Sequence, residues 1–203
     1  MGLPTERNIE AAEKLFSKLD GWQLANDTIS KYFDKHSANV EASTVAVKVV
    51  LISSLYYARI FAPLKMAVHI SGLRGLDSEL RNGDISAVDR IADTDRYEMS
   101  FASKYAHFHN EDAFPIFDGF AAKAIAILQG KGFSQSRYSN YYEVISSFRQ
   151  KSGISSITWR ALDKYLWLYG QKKDLDKRIG VNKEVTSLYN NIEGKRLFDA
   201  LEP

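Results

Sequence analysis

Apolar residues recur three and four positions apart over most of this 203-residue chain, and strand-like alternation is almost absent. The pattern predicts helices joined by short loops. Ile9, Ala12, Leu15, Phe16 and Leu19 form the first stripe, behind Thr5, a residue suited to cap a helix start; Gly21 closes it. Trp22, Leu24, Ile29, Tyr32 and Phe33 mark a second helix to about His36. A third is expected from about Val40 to Phe61, ending before Pro63. It is apolar on all sides, which predicts the central helix of the domain. Shorter helices are expected over 63–71, 76–82 and 84–92, punctuated by Gly72, Gly75 and Gly83, with Asp77 and Asp84 as start residues. Others are expected over 99–109, 118–129 and 140–151, then from Ser155 or Ser156 through Leu168, ended by Gly170. Beyond Lys172 the chain turns polar and predicts one or two short helices.

The fold class that follows is all-α, an irregular multi-helix domain. Varied helix and loop lengths argue against a regular four-helix bundle. A single domain is expected over residues 1–203, with a shallow split near 95–100, where DTDRYE is charged, and a peripheral tail over 172–203.

Composition narrows this picture. Hydrophobic residues at 45% and charged residues at 26% allow a sizeable core and argue against disorder. There is no cysteine, which excludes disulfides, thiolate metal sites and a cysteine nucleophile. The charged, amphipathic start MGLPTERNIEAAEKLF has no apolar leader core, so a cytoplasmic location is expected. The greasiest zone, Val45–Ala62, is interrupted by Lys48 and Arg59, which favours a core helix over a membrane span. Residues 1–98 hold 12 Lys and Arg against 14 Asp and Glu, net −2; residues 99–203 hold 15 against 11, net +4. That skew suits an anionic partner on the C-terminal half, and a solvated face explains it equally well.

Candidate chemistry concentrates in SFASKYAHFHNEDAFPIFDGFAAKAI, Ser100–Ile125. On a helix, Phe101, Tyr105 and Phe108 share a face, with Lys104 and His107 beside it and Ser100 one turn before Lys104. A lysine in an apolar pocket loses basicity, and its neutral amine can attack an electrophilic carbon to form a Schiff base. The competing reading is a lysine whose stem covers the core while its head reaches water. Asp118 follows the rigid run Phe114–Phe117 and opens a clean helix. It is expected to be an N-cap, and an N-cap facing a cleft could also steady a developing cation. His107 and His109, two apart, point to different sides of a helix, so neither a metal nor another cofactor is expected; a hydrolase metal site with Glu111 and Asp112 is the third choice. Trp167, in ITWRALDKYLWLYG, could wall a pocket, though packing explains it better. The loop GKGFSQSRYSNYY offers Lys131, Arg137 and Tyr138 as nucleic-acid contacts, with a plain surface loop as the alternative.

The stretches SFASKY, FHN, FPIFD and LDKYLWLYG resemble those of a widespread uncharacterised bacterial family, over about residues 45 to 170. More distantly, the order of lysine, proline-containing turn and aspartate is similar to that of 8-oxoguanine DNA glycosylases of the helix-hairpin-helix superfamily, which are all-α. That resemblance implies Lys104 as the Schiff-base amine and Asp118 as its carboxylate. It also implies a base flipped into a pocket walled by Tyr105, His107, Phe117 and Trp167, and DNA as the partner. One departure accompanies it: the glycine-rich hairpin that holds a DNA phosphate before the lysine is replaced here by YEMSFASKYA. The alternative is a non-catalytic helical module that binds a protein or nucleic acid.

Overall fold

The computed structural model describes residues 2–203, and among them every regular element is a helix. In chain order these are α1 (Glu6–Phe16), α2 (Asp20–Lys35), α3 (Ala42–Leu55), α4 (Pro63–Ser71), α5 (Leu76–Asn82), α6 (Ser86–Ala92) and α7 (Met99–His107). They are followed by α8 (Gly119–Gln129), α9 (Tyr138–Lys151), α10 (Trp159–Leu175), α11 (Lys183–Tyr189) and α12 (Ile192–Asp199). The all-α class read from the pattern is the class observed. Extended pairing among the described residues is limited to an isolated bridge between Asp93 and Tyr97.

The backbone divides into two compact units. One comprises the chain through Gln23, Asp118–Ser134 and Glu143–Pro203; the other comprises Leu24–Phe117 and Gln135–Tyr142. In the first unit, α1 starts at Thr5, whose backbone N–H donates to Asn8 Oδ1 at 2.8 Å. The Asn8 amide in turn donates to the carbonyls of Ala200 and Glu202, at 3.0 and 2.9 Å. Ile9, Ala12 and Leu15 fill the buried side of α1. The segment expected to be peripheral buries Val185, Phe198 and Leu201. Its end is further held by Glu202, which pairs with Lys172 at 2.8 Å and Lys173 at 2.6 Å.

Two helix boundaries differ from the sequence pattern for physical reasons. Thr158, rather than a serine upstream, caps α10 by accepting the Ala161 N–H at 3.2 Å. That helix then runs through Gly170 to Leu175. Gly170 is a packing device: a Cβ there would stand 2.4 Å from the Phe120 carbonyl oxygen, so only glycine lets α10 lie this close to α8.

In the second unit α3 is shorter than its hydrophobic run and stops at Leu55, because Tyr57 takes a positive φ of 53° that no helix continues through. It is not a central helix either. Val45, Lys48, Val49 and Ile52 are buried, whereas Val47 and Val50 are exposed. The glycine punctuation is observed: α5 lies between Gly75 and Gly83, both left-handed, with φ of 79° and 71°. Asp77 sits inside α5 and its carboxylate points to Asn39 instead of capping the helix.

Candidate functional site

The turn Phe114–Phe117 is held at every carbonyl. His107 Nδ1–H donates to Phe114 O at 2.8 Å, Tyr138 Oη–H to Pro115 O at 2.8 Å, and Tyr141 Oη–H to Ile116 O at 2.7 Å. Ser103 Oγ accepts the Phe117 N–H at 3.0 Å and lies 3.4 Å from the Phe117 carbonyl. Proline at 115 has no N–H to satisfy, and buried carbonyls are stable only when each finds a donor. Histidine, serine and two tyrosines on α7 and the first turn of α9 supply those donors, which is why the turn is rigid. The Phe117 ring meets Tyr141 edge-on at 5.1 Å.

This turn lies directly against the α7 segment that carries Lys104. Ser103, the residue before Lys104, is joined to the turn by its hydrogen bond with Phe117. Lys104 is 5% exposed, and its Nζ donates to Ser100 Oγ, one turn earlier, at 2.8 Å. Asp118 caps α8 by accepting the Ala121 N–H at 2.8 Å.

The other expected residues fall in distinct places. Tyr105 and His107 are buried on α7, and the Tyr105 hydroxyl donates to Asn39 Oδ1. Burial is the main cause of a Tyr105 hydroxyl held well above the ordinary tyrosine range. Trp167 does not face an open cleft: it packs edge-on against Trp22 at 4.6 Å and Phe16 at 6.4 Å in the core of the first unit. Tyr138 offers no stacking face to a nucleic acid, because it is fully buried with its hydroxyl on Pro115. Lys131 and Arg137 are exposed, and the Arg137 guanidinium lies over the Tyr97 ring at 5.0 Å.

A second cluster was missed by sequence reasoning. Lys48, in the middle of VAVKVVLI, is 0% exposed. Its Nζ donates to Asn39 Oδ1 at 2.9 Å and Ala38 O at 3.1 Å, and sits 5.0 Å from the Phe33 ring centre. Asn39 is oriented for this by Asp77, which accepts its side-chain amide at 2.7 Å and its backbone N–H at 3.1 Å. His109 Nε2 lies 3.4 Å from Lys48 Nζ and 3.2 Å from Asn39 Oδ1. Burial lowers Lys48 to about 8, with the Asp77 charge opposing the shift. Burial, aided by the Lys48 charge, lowers His109 to about 3, so its imidazole is neutral. A neutral ring can accept from the ammonium or donate to Asn39 at Nε2, not both. The available signal was the lone lysine in an apolar run, which reads as a mere interruption until α3 is oriented.

Among the described residues no group of three His, Cys, Asp or Glu side chains is arranged to hold a metal ion. No helix is long and apolar enough to cross a membrane.

Fold and site together define an all-helical protein with a lysine-bearing helix braced against a fully hydrogen-bonded turn. Residues 8–113, more than half of the chain, match the HI_0787_N family, described as an N-terminal domain, and the chain belongs to that family. It is also similar to an uncharacterized protein of Haemophilus influenzae, 30% identical over 132 residues, covering 59% of this chain and 63% of that protein. The chain thus spans less than two thirds of that relative's length. No solved structure matches it.

Proposed function

We propose that this protein acts on damaged DNA as a glycosylase/lyase-like lysine enzyme, with Lys104 as the amine and Asp118 as its carboxylate. The reading is supported above all by the hydrogen bond of 3.0 Å between Ser103 and Phe117, the residues just before the two candidates. A turn braced at every carbonyl is the kind of support a preorganised site needs. In the proposed step the neutral Lys104 amine attacks C1′ of the damaged nucleoside. The glycosidic bond breaks with its electron pair leaving on the base, which takes up a proton. The attacking nitrogen then loses one proton, and the sugar ring opens with O4′ taking up a proton, which leaves an iminium that keeps one N–H at Lys104. The Asp118 side chain steadies positive charge as it develops on the sugar.

Borohydride trapping tests this on duplexes containing an abasic site or 8-oxoguanine. A covalent protein–DNA adduct is expected with the wild type and none with Lys104→Ala. An adduct that persists in Lys104→Ala, or a wild type that forms none, overturns the proposal.

The exposed apolar side chains of α3 and α4 favour a second reading, a non-catalytic helical module. In that case Asp118 is only a cap, and Asp118→Asn keeps partner binding while stability changes by about 1 kcal/mol or less.

A further inference from the structure

The face built by α3, the loop over 56–62 and α4 carries large apolar side chains in water. Val47 and Val50 are exposed on α3, and Tyr57, Phe61, Leu64 and Val68 continue the face at 64%, 90%, 71% and 65% exposure. The two helices pack against each other, so these exposed residues lie on adjoining elements of one substructure. Single exposed apolar residues are ordinary; a run of six on adjoining elements marks an interaction surface.

The α3 sequence says what kind of surface it is. ASTVAVKVVLISSL contains one charged residue, Lys48, and that residue is turned inward and buried. The outward side is therefore uncharged, whereas a helix facing water normally presents charges there. Its exposed positions Ser43, Val47, Val50 and Ser54 are spaced four, three and four apart. That spacing keeps them on one side and is the seam by which two helices pack at a shallow crossing angle.

We propose that this face is the contact between two copies of the chain, with α3 packed on α3 of the second copy about a two-fold axis. Near a two-fold axis a side chain meets its own copy, so a charge there would face a like charge, and the outward side of α3 carries none. The area is of the right order. Tyrosine and phenylalanine bury about 150–250 Å² each, and with the four aliphatic residues the face approaches the roughly 800 Å² per partner of a standard interface. At its edge Lys65 and Asp95 lie 3.4 Å apart, one of each sign, which suits reciprocal pairing between identical copies. Exposed Arg59, Lys65 and Arg96 stand around the face together with exposed Asp93 and Asp95, a rim of both signs rather than the cationic rim of a membrane-binding face. Beside Phe61 a cleft of about 660 Å³, lined also by Met66, Val68 and Arg96, can receive an apolar side chain of the second copy.

Sedimentation velocity of the full chain tests the proposal at concentrations up to about 100 µM, above the micromolar range expected of a weak specific dimer. The wild type is expected to sediment as a dimer. The double variant Val47→Glu/Val50→Glu and, separately, Leu64→Lys are expected to be monomers with wild-type helical circular dichroism. Lys104→Ala is expected to dimerise like the wild type, which separates this result from the lysine chemistry. A wild type that stays monomeric overturns the proposal and leaves the face to a different protein or a membrane. Folded variants that still dimerise overturn it too.

Discussion

Two lysines of the second unit invite comparison. Lys104 and Lys48 are both buried, both on helices rich in apolar residues, and both hydrogen-bonded at Nζ. They differ in what holds them. Lys48 donates to a carbonyl and to an amide oxygen that Asp77 locks in place, with the Phe33 ring nearby. Lys104 donates to a serine hydroxyl, a group that can rotate and serve as donor or acceptor, next to a turn braced by four side chains. One lysine is the hub of a closed polar network. The other stands on a rigid platform with an adaptable partner. Burial alone therefore does not tell the two lysines apart; the groups that accept from them do.

The largest effect expected from breaking this contrast is at Asn39. Asn39→Ala removes the acceptor shared by Lys48 and Tyr105 and leaves a buried ammonium short of a partner. A loss of about 3 kcal/mol is expected in urea unfolding. A change well under 1 kcal/mol would show that the network is not a hub.

A smaller effect is expected from pH. The folded-state value of Lys48 lies near 8, below its ordinary 10.5. Between these values the unfolded chain binds the extra proton, so stability rises as pH goes from 8 to 10.5 and is lost on returning to 8. Allowing for solvent screening, the contribution is about 2 kcal/mol. Lys48→Met should flatten this limb while staying close to wild-type stability at neutral pH, since apolar replacement of a buried charge is often neutral. On the acid side His109, lowered to about 3, contributes stability that is complete above 6.5 and lost as pH falls towards 3. His109→Phe should remove that limb.

Smaller again, Ser103→Ala takes the acceptor from the Phe117 N–H, with an expected cost of about 1–2 kcal/mol in thermal or urea unfolding. Under the proposed function it also weakens borohydride trapping although Lys104 is intact. Trapping at the wild-type level would detach the platform from the chemistry. The smallest stability change is Asp118→Ala, about 1 kcal/mol, from the lost cap on α8.

Much of the fold was legible because it rests on local rules. The glycines around α5, Pro63 at the start of α4 and Asp118 ahead of α8 act within one helical turn, so neighbouring residues suffice to read them. Thr5 and Asn8 likewise close the start of α1 between themselves. Reading failed where a residue answers to something distant in sequence. Gly170 looked like a stop and is a contact with Phe120. Trp167 packs on Trp22, the packing that the sequence favoured over a pocket wall, but the partner itself was not legible. The α3 run looked central, and Tyr57 ends it early with one side in water. For the candidate site, the chain order supplied Lys104, the turn and Asp118. The donors that brace the turn, above all Tyr138 and Tyr141, lie more than twenty positions away.

By itself, then, the sequence determined the all-helical class, most helix starts and the place of the proline turn, because propensity, capping and φ restriction are properties of short segments. Only the tertiary structure decided that Lys48 is sealed inside a network of Asn39, Asp77 and His109, that Tyr138 supports the turn rather than a ligand, and that Val47 and Val50 face water. Each of those outcomes depends on which residues far along the chain arrive to donate, accept or exclude solvent, and helical periodicity carries no record of a partner thirty or sixty residues away.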